Sequence, residues 1–435
     1  MLREVVTDIF TAAVQAVDPY RLVQPHIETI RDLYWRYSLK KLFVISIGKS
    51  ACQMTTALED ALSELIVSGV VITKYGHCVP FSEKTKIERF EAGHPVPDEN
   101  GIKATEKILH LLSKADEATL VVCLISGGGS ALCVAPYDGI RLDEKQKVTD
   151  LLLRGGAAID ELNAVRKHIS RVKGGRLAEL AYPARTVSLI LSDVVGDKPD
   201  VIASGPTAPD PTTFDDALAA LDRYMLMDKT PQSVLEVIYR GAAGYWPETP
   251  KQGDKTFERV ENVIIGNNRT ALEGARLKAE ASGFGVEILS ADLTGDAVEV
   301  GRALAQKVRK IKAFPRAYRP LCLLSSGETT VKVRGSGRGG RNMELALAFA
   351  MEIAGEPDIT LLSAGTDGTD GPTDAAGAIV DGTTIMQAQA LGIDPEAYLC
   401  NNDSYTFFKK IGGLFITGPT GTNVMDIQII IISSQ

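Results

Sequence analysis

The sequence predicts an α/β protein of two domains, and three observations carry that prediction. Apolar runs that end in glycine-rich turns and pass into helical periodicity recur along the chain, as in KKLFVISIGKSACQMTTALEDAL and TLVVCLISGGGSALCVAP. That alternation is what strands joined by helical crossovers produce. A polar stretch near residues 244 to 260, GYWPETPKQGDKTFERV, interrupts the rhythm, which restarts at NVIIGNNRTALEGARLKAEASGFGVEILSADL. The chain is also too long, at 435 residues, for one ordinary core. The expected partition is residues 1–240 and 241–435.

Bulk properties narrow the function. With 45% hydrophobic and 23% charged residues, the composition suits a globular enzyme and excludes a disordered or fibrous chain. A net charge of −8 argues against nonspecific nucleic-acid binding while leaving room for a local basic site that takes a small anion. The six cysteines, Cys52, Cys78, Cys123, Cys133, Cys322 and Cys400, form no CxxC pair and read as reduced core residues. MLREVVTDIF is an amphipathic start carrying acids, and no apolar run reaches the ~20 residues that a membrane span needs. A soluble cytoplasmic protein is expected, with no nucleic-acid or membrane partner and with a homodimer left open.

Residues 1–38 read as helix broken by Pro19 and Pro25. The next strand ends at Gly48–Lys49–Ser50, which is not a P-loop, because the leading glycine of that motif falls at Phe43. Lys49 nevertheless sits at a strand's carboxyl end beside a helix start, a place suited to a phosphate or carboxylate, and equally to a surface lysine without a role. GVVITKYGHC is a second strand. The loop EAGHPVPDENG carries His94, which reads first as structural. In LISGGGSAL, Ser126 to Ser130 reads as an anion-binding nest, against the plainer reading of a tight strand-to-helix turn. Ser130 is not a hydrolase nucleophile, since GGGSA lacks the G-x-S-x-G spacing.

Arg166, Lys167, Arg171, Lys173 and Arg176 follow with no acid among them. Such a run is usually a solvated helix face, although it leads through Gly174–Gly175 to the strand TVSLILSDVVGD, so part of its charge could turn toward the sheet end. Asp193 and Asp197 lie just past that strand, where a catalytic or metal-binding carboxylate is placed. In the second half, the run from Leu321 to Asp381 reads as strand, basic glycine loop, helix, strand and acidic loop. Gly335, Gly337, Gly339 and Gly340 lie among Lys332, Arg334, Arg338 and Arg341, ahead of a helix expected to open at Asn342. Glycines admit close backbone approach and a helix start favours anions, so this loop is a candidate polyphosphate cradle. Asp367, Asp370, Asp374 and Asp381 in the following acidic loop suit a divalent cation carried by a nucleotide. The last run, GGLFITGPTGTNVMDIQIIII, is a glycine and threonine loop before a buried strand.

Together SIGKSA, AGHPVPDENG, LISGGGSAL, ELNAVRKHISRVKGGRLA, LSDVVGDKPDVIASGPTAPDPTT, SSGETTVKVRGSGRGGRNMELALA, SAGTDGTDGPTDAAGA and TGPTGTNVMD resemble the class II glycerate kinases, whose C-terminal domain is of the MOFRL type. The resemblance covers nearly the whole chain. It implies a Rossmann-like N-terminal domain and a smaller MOFRL-type α/β C-terminal domain, with the active site in the cleft between them. It further implies ATP-dependent phosphorylation of D-glycerate, at the 2-hydroxyl, with Mg2+. The family's key lysine and arginine map onto Lys49 and Arg341. One departure is Met343, where the family usually has glutamine, which bears on a hydrogen bond near the nucleotide.

On that reading the catalytic candidates are Lys49, Arg341 and Asp193, and the metal candidates are Asp193 and Asp197. Substrate and nucleotide candidates are Ser126, Gly127, Gly128, Gly129, Ser130, His94, Lys173, Arg338, Glu328 and Asp367. The rival is an NAD(P)H-dependent hydroxypyruvate reductase. Gly335, Gly337 and Gly340 do satisfy G-x-G-x-x-G, but two arginines crowd that loop and the acidic residue expected about 20 positions on is not clearly placed. A noncatalytic sugar-phosphate sensor is the second alternative; it accounts for the anion loops and not for the acidic cluster.

Overall fold

The computed structural model describes residues 2–78, 85–313 and 320–433. It divides into two compact units, Pro19–Ile265 and Met1–Asp18 with Gly266–Gln435.

The first unit is built on β1 (Lys41–Ile47), β2 (Ile66–Lys74), β3 (Ile87–Ala92), β4 (Thr119–Ile125), β5 (Arg185–Leu191) and β6 (Val260–Gly266), in spatial order β3-β2-β1-β4-β5-β6. The pairings from β3 through β5 are all parallel. β4, TLVVCLI, is buried at every position, as expected of a central strand covered by helices on both faces. This strand order is that of the Rossmann fold, in which the direction of winding reverses between β1 and β4. Glycine turns at the ends of those two strands therefore meet at the place where such sheets bind ligands. A second, helical core fills the region from Ile140 to Ile238, where Val148, Leu152, Val165, Phe214 and Leu221 are fully buried.

The second unit holds β7 (Gly285–Leu293), β8 (Leu321–Gly327), β9 (Ile359–Gly365), β10 (Gly377–Asp381), β11 (Leu414–Phe415) and β12 (Asp426–Ile432), in order β11-β10-β9-β12-β8-β7. Only β7 and β8 pair in parallel; β12 lies antiparallel to both β8 and β9. The strand-helix-strand unit from β8 through the helix Arg341–Glu352 to β9 thus leaves one place open, and the apolar β12 fills it. That helix is buried from Asn342 to Ala350, so its sequence is apolar nearly all round.

The compact units divide the chain at positions other than 240/241. Residues 241–265 stay with the first unit because β6 completes its sheet. The N-terminal helix Leu2–Ala16 belongs to the second unit, where Phe10 meets Phe415 edge to face at 5.2 Å. At Gly274 of the helix Asn268–Ala281 a Cβ would stand 2.5 Å from that of Ala16, so glycine permits the two helices to touch.

Candidate active site

In the first unit the turns after β1 and β4 are tied backbone to backbone. The Lys49 amide donates to the Gly127 carbonyl at 2.9 Å, and the Ser50 amide to Ser126 Oγ at 3.1 Å. Gly48, at φ +126°, lies so close to Ser126 that a Cβ would stand 2.5 Å from its carbonyl oxygen. Gly128, at φ +84°, lets the His94 ring lie against the turn, since a Cβ there would be 3.0 Å from His94 Cδ2 and 3.3 Å from Lys49 Cγ. The loop histidine and the nest are thus one structure, joined across distant sequence. Ser130 Oγ lies 2.8 Å from Ser204 Oγ, which donates to Asn163 Oδ1 at 3.1 Å. Ser130, half-buried, is thus tied to the buried Ser204 and Asn163, consistent with its lack of an elbow.

A cavity of about 710 Å³ opens from this turn, bordered by His94, Gly128, Ser130, Lys145, Arg166 and Lys173 among others. Lys173 is buried and donates to the carbonyls of Ser130 at 2.7 Å and Cys133 at 3.3 Å; burial lowers its ammonium to about 8. Burial also lowers Arg166, and it pushes Lys145 well below the ordinary lysine value, helped by Lys173 and Arg166. The run from Arg166 to Arg176 is therefore not a solvated face. Lys167 and Lys173 are among the most deeply buried side chains, and Lys167 pairs with Asp210 at 3.0 Å. Only Arg171 keeps the expected surface role, 3.1 Å from Glu106.

Lys145 escaped the sequence reading, although a signal was present. In LDEKQKVTDLLLR it falls in step with Val148 and Leu152, and these three are the buried residues of the helix Leu142–Arg154. Asp193 and Asp197 follow β5 as expected, Asp197 in the left-handed region at φ +53°, but neither borders the cavity. Among the described residues, no group of three or more His, Cys, Asp or Glu side chains is placed to hold a metal.

In the second unit the basic glycine loop is packed against protein where a phosphate was expected. The amides of Arg334 and Gly335 donate to Asn402 Oδ1, those of Ser336 and Gly337 to Asn401, and that of Arg338 to Asp403 Oδ1, at 2.7 to 3.2 Å. A Cβ at Gly335 or Gly337 would lie 2.3 or 2.4 Å from Asn401 or Asp403. The helix start is likewise taken. Asp370 accepts from the amides of Asn342 at 3.1 Å and Met343 at 2.8 Å, so the acidic loop caps the helix in place of an external anion. Burial, then Asp426, pushes Asp370 up to about 7.

The other acids of that loop are engaged too. Asp374 accepts from the Tyr405 hydroxyl, Asp381 from Thr383, and Asp367 from Thr369. Arg341 forms a two-pronged pair with the buried Asp426, at 2.6 and 3.0 Å, and its third nitrogen donates to Glu328. Arg338 turns elsewhere, donating to the Pro372 carbonyl at 3.1 Å and lying over the Tyr405 ring. Met343 is fully buried in the core, so the departure from glutamine is a packing change and bears on no surface hydrogen bond. Asn401, Asn402 and Asp403 were not singled out in the sequence, and Asp426 entered only as the last residue of TGPTGTNVMD; the partners they engage across the loop lie 65 or more residues away.

Residues 5–239 match the domain of unknown function DUF4147, and residues 321–426 match the MOFRL family. The chain is 46% identical to D-glycerate 2-kinase of Thermotoga maritima, over 98% of both chains. It is 43% identical to a putative hydroxypyruvate reductase of Agrobacterium vitis, over 99% of this chain and 94% of that one. The crystal structure of glycerate kinase from Thermotoga maritima superposes with a TM-score of 0.85 at 45% identity, covering 99% of each chain. With the two segments in this order and full-length identity of this size, the chain belongs to the MOFRL family of glycerate 2-kinases.

Proposed function

We propose that this protein transfers the terminal phosphoryl group of ATP to the 2-hydroxyl of D-glycerate. The observation that carries the reading is the cation-lined cavity at the β1/β4 turn of the first unit, where Lys173 donates to the Ser130 carbonyl and Arg166 borders the same space. Phosphoryl transfer asks a protein for position and charge neutralisation more than for covalent help, and that set offers both. Lys49, held at the turn by its amide, would neutralise charge on the transferring group, and His94 would bound the substrate's position. Arg341, already shared by Asp426 and Glu328, would have to exchange the exposed Glu328 for a ligand's anion. Asp193 would accept the hydroxyl proton or, with Asp197, help to hold Mg2+. Neither aspartate borders the cavity, so these two carboxylates would leave most of a magnesium ion's positions to phosphate oxygens and water. The ion's chemistry would be to neutralise the phosphate chain.

The reductase reading draws on the names of two Agrobacterium vitis relatives and on the G-x-G-x-x-G at Gly335 to Gly340. The packing of that loop gives it no support, since Asn401, Asn402 and Asp403 fill the space a pyrophosphate would take. A coupled assay separates the two readings. With D-glycerate, ATP and magnesium, the product is expected to be 2-phosphoglycerate, which enolase alone converts to phosphoenolpyruvate. NADH oxidation with hydroxypyruvate in the absence of ATP is expected to be nil, and robust turnover there would overturn the proposal.

A further inference from the structure

Two lysines of the first unit are almost equally buried and are treated in opposite ways. Lys167, 2% exposed, has Asp210 at 3.0 Å and Asp200 at 3.5 Å. Lys145, 4% exposed, borders the cavity, and among the described residues none accepts a hydrogen bond from its Nζ. The charged groups nearest in effect are cations, Lys173 and Arg166. Asp143 and Asp150 also border the cavity, but Asp143 is held by Arg141 at 2.8 and 2.9 Å and Asp150 by Arg154 at 2.8 Å. A buried ammonium without a counter-charge is costly, and a packed apolar side chain in its place would be cheaper. A lysine retained at such a wall takes its anion from outside the protein.

Resting on the kinase reading above, we propose that Lys145 is a phosphate-binding residue which, with Lys173 and Arg166, holds the polyphosphate chain of the nucleotide. Two features select that ligand over the carboxylate of glycerate. A cavity of about 710 Å³ is far larger than a three-carbon acid requires, and Val96 and Leu153, 61% and 56% exposed, border it as apolar faces that a base can cover. Four basic side chains with no carboxylate assigned to them, Lys145, Lys173, Arg166 and the exposed Lys147, also match a chain of phosphates better than a single negative charge.

A consequence follows for protons. The titratable groups facing the site are Lys145, the exposed Lys147 and the engaged Asp143 and Asp150 from the helix Leu142–Arg154, Arg166 from the helix Ile159–His168, Lys173 from the turn beyond it, and His94 from the loop after β3. Burial and mutual repulsion hold Lys145 well below its ordinary value and Lys173 near 8, so phosphate charge arriving beside them draws protons in.

The test titrates the full-length protein with ADP by calorimetry, at pH 7.5, in two buffers of different ionisation enthalpy. Wild type is expected to bind with net proton uptake. Lys145→Met should lose at least tenfold in affinity along with most of that uptake, and Lys145→Arg should recover affinity. Because burial that drives the proton off Lys145 disfavours the folded state, Lys145→Met removes that cost and its melting temperature should equal or exceed that of wild type. Unchanged ADP affinity and proton uptake in Lys145→Met overturn the proposal, as does a marked fall in its melting temperature, which would make the lysine a packing element. Weakened D-glycerate binding with ADP binding intact overturns it too, by assigning the site to the carboxylate. The kinase reading is judged separately by whether wild type forms phosphoglycerate, so a protein that does so while Lys145→Met binds ADP normally defeats this proposal alone.

Discussion

Asp370 shows how one residue can satisfy a helix at the expense of its own charge. Its carboxyl takes two amides at the start of the helix Arg341–Glu352, yet burial beside Asp426 pushes it up to about 7. The folded protein therefore binds this proton more tightly than the unfolded chain, where the group ionises near 4. Its stabilising effect is fully present below about pH 4 and is lost as pH rises toward 7, by up to about 4 kcal/mol. Glu248, held down to about 2 by His168 and the Phe214 amide against the cost of its burial, works in the opposite direction and only below the ordinary carboxylate range. Denaturant titrations between pH 5 and 7 should thus show wild-type stability falling with pH and Asp370→Asn losing that slope, because the amide still accepts one helix N–H without titrating. Parallel slopes in the two proteins would mean that Asp370 is ionised throughout.

Among the elements, the loop from Arg334 to Gly340 is the one whose chemistry reads one way in sequence and another in space. Glycine and arginine in alternation suit a phosphate and suit a close protein contact equally well, because both need backbone approach without a Cβ. The segment Asn401 to Asp403 decides the matter by presenting carbonyl and side-chain oxygens to five successive amides. Gly337→Ala would force a Cβ to within 2.4 Å of Asp403 Cβ. Overpacking of that kind costs about 1–3 kcal/mol and should lower the melting temperature by roughly 2–10 °C. Weaker nucleotide binding at an unchanged melting temperature would restore the phosphate-cradle reading.

At the scale of the whole molecule, the chain's first helix belongs to the unit formed by its last 170 residues. Val6, Ile9 and Phe10 are essentially unexposed there. At about 1.5–3 kcal/mol for each large apolar side chain, their loss approaches the 5–15 kcal/mol that holds a typical domain together. A polypeptide of residues 266–435 alone is expected to be insoluble or to melt without cooperativity, and one carrying residues 1–18 through a linker to fold. Equal thermal transitions in both would show the helix to be dispensable. The residues that the sequence determined by itself are those whose signal is local: the apolar strands, the glycine turns at Gly48 and Gly127–Gly129, Lys49 at a strand end, and the order of motifs that marks the family. What only the tertiary structure decided is pairing. Lys145 and Lys173 became cavity walls, Lys167 an ion pair, β12 the strand between β8 and β9, and Asp370 a helix cap. The physical reason is that the charge and hydrogen-bonding state of a buried group depends on neighbours brought close by the fold from distant sequence, and those neighbours leave no mark on the residues beside it in the chain.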